Sequence, residues 1–110
     1  MENEMQKEYN LVPLHFTMSE NQYKKLRILK KEGFCKTMYI LRLAAFYIAS
    51  LQYKDVKSYK DVDFETKTGK HYKVDLPSDL YNKMKTQADL CGFSMSKLMR
   101  IGINDTLYFM

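Results

Sequence analysis

The chain is poor in the residues that usually mark disulfide scaffolds, metal sites and disordered segments. Its 110 residues include only two cysteines, two prolines and four glycines. Cys35 and Cys91 form no CxxC pair and no Cys/His cluster, so packing roles in a reducing compartment are expected rather than a disulfide or a metal site. Because 45% of the residues are hydrophobic and 28% are charged, the composition argues against disorder of the whole chain.

Long hydrophobic runs are also missing. The most apolar stretch, Met38 to Leu51, is interrupted by Arg42 and is shorter than the roughly 20 residues of a membrane-spanning helix. It predicts instead a core helix that is covered on both sides. The first ten residues are polar and acidic, unlike a signal peptide. We therefore expect a cytoplasmic protein that does not contact the membrane.

Signatures of catalysis and of cofactor binding do not occur in the sequence. Gly69-Lys70 does not belong to a phosphate-binding loop, because His71 follows it and Phe64 stands where the upstream glycine is required. HExxH and GxSxG patterns are absent as well. We expect neither enzymatic activity nor a bound cofactor or metal.

Positive charge is concentrated in two segments. The net charge is +5. Residues 11–52 contain seven Lys/Arg and two Asp/Glu, a net +5, and residues 70–110 contain six and four, a net +2. Residues 53–69 are neutral, and residues 1–10 are net −2. This distribution is compatible with a polyanionic partner of the two segments.

The two basic segments resemble each other when the sequence is shifted by 58 residues, and each reads as strand, helix, helix. The Gly-Phe pairs, at 33–34 and 92–93, need a shift of 59. Equivalent positions are Leu14 and Tyr72, Phe16 and Val74, Met18 and Leu76, Tyr23 and Tyr81, Leu26 and Met84, and Arg42 and Arg100.

Apolar and polar residues alternate at the start of each copy, which predicts a half-buried strand. Pro13 cannot donate a hydrogen bond, so pairing of the first strand should begin near Leu14. The expected core face consists of Leu14, Phe16, Met18, Tyr72, Val74 and Leu76. The polar residues between them would then face outward.

Helix ends are predicted by caps and glycines. In the first copy, Ser19 and Gln22 form an S-x-x-Q capping box, and Gly33 ends the helix. A second helix is expected from about Lys36 to Gln52. In the second copy, Ser78 is the expected N-cap, Gly92 is the stop, and Ser94 or Ser96 caps the last helix.

One strand and two helices cannot close a core alone, since about 40 residues are too few for an independent fold. Two copies in one chain solve this by pairing their strands. The expected fold is mainly α with a two-stranded antiparallel β-ribbon. Its units are residues 11–52 and 70–110, joined by a linker at 53–69, and together they form one folded domain. Alternation at Val62, Phe64 and Thr66 admits a short extra strand within 60–66.

This layout resembles the ribbon-helix-helix DNA-binding superfamily, the Arc and MetJ type. The residues that carry the resemblance are His71-Tyr-Lys-Val-Asp-Leu-Pro-Ser-Asp-Leu80 and Gly92-Phe-Ser-Met-Ser-Lys-Leu-Met-Arg100. The first copy matches less well, because Gly33 to Arg42 has one extra residue. Two units in one chain, a tandem pseudo-dimer, resemble the TraY type, whose members are accessory proteins of conjugative DNA-processing complexes (relaxosomes) of plasmids.

The resemblance implies a sequence-specific protein that inserts its ribbon into the major groove of double-stranded DNA. Its role would be that of a relaxosome accessory factor or of a transcriptional repressor. A relaxase or another DNA-processing protein would be its partner, and copies would self-associate on adjacent DNA sites. The alternative from another class is a protein-interaction module, such as an antitoxin-like partner of another protein.

The outward residues of the ribbon are the candidate base readers, because lysine suits guanine acceptors and Asp can accept from cytosine. Such polar residues also occur on sheet faces that are merely solvated. The candidates are His15, Thr17, His71, Lys73 and Asp75.

Free backbone N–H groups at the start of each second helix would bind phosphate. Ordinary helix capping explains the same residue types. The candidates are Lys36, Thr37, Ser94, Ser96 and Lys97. Arg42 and Arg100 occupy matched helix positions, where a structural ion pair or a snorkelling side chain is favoured over contact with phosphate.

Overall fold

A computed structural model describes residues 10–33, 36–61 and 70–108 of the chain. These residues form a mainly helical protein with one two-stranded antiparallel sheet, as the sequence predicts. In chain order the elements are β1 (Leu11–Met18), α1 (Glu20–Lys31), α2 (Thr37–Ser50), α3 (Tyr53–Lys57), a 3-10 turn (Ser58–Asp61), β2 (Lys70–Pro77), α4 (Ser78–Cys91) and α5 (Met95–Tyr108).

The ribbon pairs all eight residues of β1 with all eight residues of β2. Its register runs from Leu11 opposite Pro77 to Met18 opposite Lys70, with His15 opposite Lys73. β1 begins at Leu11, so the prediction that pairing starts near Leu14 is wrong. A strand with a single neighbour has one open edge, and proline is tolerated where its nitrogen faces that edge.

The inner face of the ribbon covers the helices with alternate side chains. Leu14, Phe16 and Met18 of β1 are buried, as are Val74 and Leu76 of β2. Tyr72 is half-buried and packs against the same core. The predicted alternation is confirmed. Full burial of an aliphatic or aromatic side chain contributes about 1.5–3 kcal/mol, so this face is a main source of stability.

The predicted capping box at the start of α1 is confirmed. The Ser19 hydroxyl accepts a hydrogen bond from the Gln22 backbone N–H at 3.2 Å, and Gln22 Oε1 accepts one from the Ser19 N–H at 3.3 Å. The same Gln22 amide donates from Nε2 to the Arg100 carbonyl at 2.7 Å. One buried side chain thus caps the start of α1 and also joins this helix to α5.

The second copy is capped differently from the prediction. The N-cap of α4 is Pro77, and Ser78 is the first helical residue, because β2 runs without a break into the helix. Gly92 ends α4 in the left-handed conformation, with φ of 71°. Ser94 caps α5 by accepting from the Lys97 N–H at 3.1 Å. The Ser96 hydroxyl accepts instead from the Thr17 N–H of the ribbon at 3.3 Å.

Helices α2 and α5 cross at a point where a glycine is required. A Cβ atom added to Gly102 would lie 2.7 Å from the Ala44 carbonyl oxygen and 3.3 Å from the Ile48 Cβ. Both Ala44 and Ile48 are fully buried. The absence of a side chain at Gly102 therefore sets how closely the two helices approach.

Helix α2 is not covered on both sides, and that prediction is wrong. Ile40, Leu41 and Ile48 face the core, but Tyr39 and Phe46 are each 62% exposed. Leu43 is exposed as well. We refer to Tyr39, Leu43 and Phe46, which follow each other at helical spacing, as the α2 stripe. The described elements pack against only one side of this helix.

The first half of the predicted linker is folded. α3 and the 3-10 turn pack on the core through Val56, which is fully buried. The Tyr59 hydroxyl donates to Asp105 Oδ2 at 2.8 Å. This hydrogen bond, followed by burial, raises the pKa of Tyr59 to about 12. The candidate strand at Val62, Phe64 and Thr66 lies outside the described residues. None of the helices described here has both the length and the apolar character needed to cross a membrane.

Candidate nucleic-acid interface

The outer face of the ribbon gathers the predicted base-reading residues. His15, His71 and Lys73 are exposed, and Thr17 and Asp75 are half-buried. Because side chains alternate across a strand, all five lie opposite to the buried face. His15 and Lys73 form the central pair, with Thr17 opposite His71 on one side and Asp75 opposite Pro13 on the other. The pleat and the register together produce one polar surface.

Two histidines contact each other on this surface. His71 Nε2 lies 3.3 Å from His15 Nδ1, so one of the two nitrogens donates to the other. Their rings are stacked, with centroids 5.4 Å apart and planes inclined by 25°. His15 and His71 are diagonal neighbours in the ladder, a spacing that long side chains bridge. The sequence did not predict this contact, since it requires the register of the two strands.

Lys73 and Asp75 form an exposed ion pair along β2. The Lys73 ammonium lies 3.8 Å from Asp75 Oδ1, with side-chain exposures of 53% and 33%. Pairs of this kind contribute about 0–1 kcal/mol, because water screens them. A ligand can therefore displace the carboxylate from Lys73 at small cost. The ammonium offers up to three donors at the centre of the ribbon.

Thr17 is the predicted base reader with the most internal contacts. Its hydroxyl accepts a hydrogen bond from Arg100 Nη1 at 2.9 Å, and its carbonyl accepts from the same nitrogen at 2.9 Å. The hydroxyl hydrogen remains able to donate outward, and the methyl group can contact an apolar group. Thr17 thus offers fewer recognition groups than the two histidines or Lys73.

Arg42 and Arg100 make reciprocal contacts between the helices and the ribbon. Arg42 Nε donates to the Asp75 carbonyl of β2 at 2.9 Å, and Arg100 Nη1 donates to the Thr17 carbonyl of β1. Burial lowers the pKa of the Arg100 guanidinium below its ordinary value. The contacts found for these two arginines are therefore hydrogen bonds to the ribbon, to backbone carbonyls and to the Thr17 hydroxyl, in place of the expected ion pairs.

The predicted phosphate-binding residues lie at the starts of α2 and α5. Lys36 is the exposed N-cap of α2, and Thr37 is its first residue. Ser94, Ser96 and Lys97 form the first turn of α5 and its cap, with the Lys97 ammonium 4.1 Å from the centroid of the Phe93 ring. α5 contacts the ribbon at Thr17 and α2 contacts it at Asp75, on opposite sides of the central pair.

Comparisons with protein-family models, with curated proteins and with solved structures gave no match. Among the residues that the structure describes, no three His, Cys, Asp or Glu side chains are grouped so that they could hold a metal ion. The polar outer face of the ribbon, which α5 contacts through its first-turn residue Ser96 and α2 contacts through Arg42, is the most developed candidate site.

Proposed function

We propose that the protein is a sequence-specific, double-stranded-DNA-binding protein of the ribbon-helix-helix type, without enzymatic activity, that reads the major groove with its ribbon. The observation that carries this proposal is the outer face of the ribbon. It presents Lys73 and the His15–His71 pair in one exposed surface. A two-stranded ribbon fits the major groove, which is about 12 Å wide and displays a distinct donor and acceptor pattern for each base pair.

A tandem pseudo-dimer is the arrangement that we infer for the two copies, and three pairings support it. His15 and Lys73, which are 58 residues apart, face each other at the centre of the ribbon. Ala44 and Gly102, also 58 residues apart, meet where α2 crosses α5. The hydrogen bonds from Arg42 to Asp75 and from Arg100 to Thr17 correspond to each other under the same shift, which relates Arg42 to Arg100 and Thr17 to Asp75. An approximate two-fold axis that passes through the His15–Lys73 pair and the Ala44–Gly102 pair accounts for all three.

The starts of α2 and α5 are the proposed sites of electrostatic contact with DNA phosphates. Each start presents backbone N–H groups and the positive end of a helix dipole, which bind phosphate. Lys36 adds a full charge at the α2 start, and Lys97 adds one at the α5 start. A ribbon in the groove between two phosphate-binding helix starts would fix the register of the protein on the duplex.

In the cell, we propose a role as an accessory factor of a conjugative or other mobile-element DNA-processing complex, or as a transcriptional repressor. Both roles use the same ribbon. The accessory role is supported by the tandem copies, which resemble the TraY type. A relaxase or another DNA-processing protein would then be a partner, and copies would associate on adjacent sites.

The second candidate function is a protein-interaction module. The α2 stripe favours it, because Tyr39, Leu43 and Phe46 leave apolar surface exposed on one helix. Selection of bound duplexes from a random DNA pool, at a stated salt concentration, separates the two functions. A DNA-binding protein enriches a defined sequence, whereas a module that binds only proteins enriches none. Failure to enrich any sequence would contradict the proposed DNA-binding function.

Lys73→Ala should weaken binding to the selected duplex by about 1–3 kcal/mol and binding to mixed-sequence duplex much less. The reason is that a lysine at the ribbon centre donates to guanine N7 and O6, whereas phosphate contacts are independent of sequence. Titrations of both duplexes by fluorescence anisotropy measure the two affinities. An equal loss on both duplexes would make Lys73 a backbone contact.

Lys36→Ala, in contrast, should weaken binding to all duplexes alike. Removing one phosphate contact should also make the slope of log K against log salt shallower by about 0.9. The measurement is a series of titrations between about 50 and 200 mM KCl on the selected and the mixed-sequence duplex. Wild-type affinity that does not change over this range would contradict the electrostatic part of the proposal.

A further inference from the structure

A basic groove runs along α1 to the start of α2. Five cationic side chains, from Lys24, Arg27, Lys30, Lys31 and Lys36, line two adjoining cavities of about 760 and 450 Å³, which share Lys30 and Thr37. None of the described residues that line these cavities is acidic. The Lys24 ammonium lies 3.6 Å from the Glu20 carboxylate in an exposed pair, and Glu32 follows Lys31 at the end of α1. We refer to these five residues as the basic groove.

The second copy does not repeat this charge. The shift of 58 residues places Asn82, Lys85, Ala88, Asp89 and Ser94 at the equivalent positions. Over their whole lengths, α1 contains five basic residues and one acidic residue, whereas α4 contains two of each. The two halves of the molecule share a backbone plan but differ in the electrostatic potential beside the ribbon.

The groove is continuous with a predicted phosphate-binding residue pair. Lys36 and Thr37, at the start of α2, form one end of it, and Tyr23 and Tyr72 line the part closer to the ribbon. The Arg27 guanidinium lies 5.7 Å from the centroid of the Tyr23 ring, an attraction that holds it at the groove. Cations and tyrosine hydroxyls are common partners of phosphate oxygens in complexes with DNA.

We propose that the basic groove binds the sugar-phosphate backbone of DNA beyond the base pairs under the ribbon, on one side only. The protein therefore binds its site in a fixed direction, with a longer footprint on the α1 side than on the α4 side. This inference rests on the proposed DNA-binding function and adds to it the extent and polarity of the contact. Its ligand class is backbone phosphate, independent of base sequence.

Two variants with the same loss of charge test the proposal. Arg27→Gln with Lys31→Gln removes two charges from the groove, and Lys83→Gln with Lys85→Gln removes two exposed charges from α4. Binding to a mixed-sequence duplex of about 30 base pairs is titrated between about 50 and 200 mM KCl. For two lost phosphate contacts the slope becomes shallower by about 1.8, so the loss of affinity over this range shrinks about 12-fold. The α4 variant should retain nearly the wild-type slope.

Hydroxyl-radical footprints on the selected duplex supply the second readout. Wild-type protection should extend further from the site centre on one side, and the groove variant alone should lose that extension. Equal slopes for the two variants, or a symmetric wild-type footprint, would overturn the inference while leaving DNA binding established. If the wild-type protein binds no duplex at about 50 mM salt, the proposed function fails and the inference fails with it. Circular dichroism of both variants checks that each remains folded.

Discussion

Replacing Val74 by lysine is expected to unfold the protein. Val74 is fully buried and lies opposite Leu14 on the inner face of the ribbon. The strand cannot turn this side chain to the outside, because moving the register of β2 by one residue would also expose its remaining core side chains. An unpaired ammonium in such a site costs several kcal/mol, and a small domain has only about 5–15 kcal/mol of stability.

Thermal melting followed by circular dichroism measures this effect. Leu11→Lys is the matched control, since it introduces the same charge on β1 at a residue that is 49% exposed. It should change the free energy of unfolding by only about 0.5 kcal/mol. If Val74→Lys melts at the wild-type temperature, the assignment of the inner and outer faces is wrong, and the proposed DNA-reading surface is wrong with it.

Gly102→Val is expected to destabilise the protein by roughly 3 kcal/mol or more, and Gly102→Ala by about 1–3 kcal/mol. Alanine favours a helix over glycine by about 1 kcal/mol, which alone would stabilise α5. Gly102→Ala is nevertheless expected to lower the free energy of unfolding, because the added Cβ would lie 2.7 Å from the Ala44 carbonyl oxygen. A backbone atom in the middle of α2 cannot move aside as the end of a flexible side chain could.

Urea denaturation of the two variants gives the change in the free energy of unfolding. Asn104→Ala is the control, because it lies two residues further along α5 and is exposed. There the helix propensity of alanine should act unopposed and raise the stability slightly. A Gly102→Ala protein that is more stable than the wild type would show that α2 and α5 separate easily at their crossing.

Periodicity was the strongest source of information in the sequence. The period-2 alternation around Phe16 and Val74 gave the inner faces of both strands, and the S-x-x-Q pattern gave the start of α1. These are local features, because the alternation and the capping hydrogen bonds depend on residues that are close together in the chain. The expectation that α2 is covered on both sides failed, since composition does not reveal how many neighbours a helix has. Tyr39 and Phe46, on the side of α2 that no described element covers, are exposed.

The sequence predicted which residues belong to the candidate site but not which of their side chains contact each other. Alternation placed His15, Lys73 and their neighbours on one face. The contact of His15 with His71, and that of Arg100 with Thr17, depends on which residues of two distant segments are paired. The basic groove had a local signal in the run of lysines and arginine along α1. Its relation to the start of α2 depends on how the two helices pack, which the local sequence does not specify.

The sequence by itself determined that residues 11–52 and 70–110 each begin with a strand that two helices follow, and which face of each strand is buried, because these depend on side-chain periods within short segments. Only the tertiary structure decided the rest. It set the register that puts His15 opposite Lys73, the crossing that needs Gly102, and the packing that brings the cations of α1 next to the start of α2. Each of these depends on contacts between residues that are far apart in the chain, and local preferences do not specify such contacts.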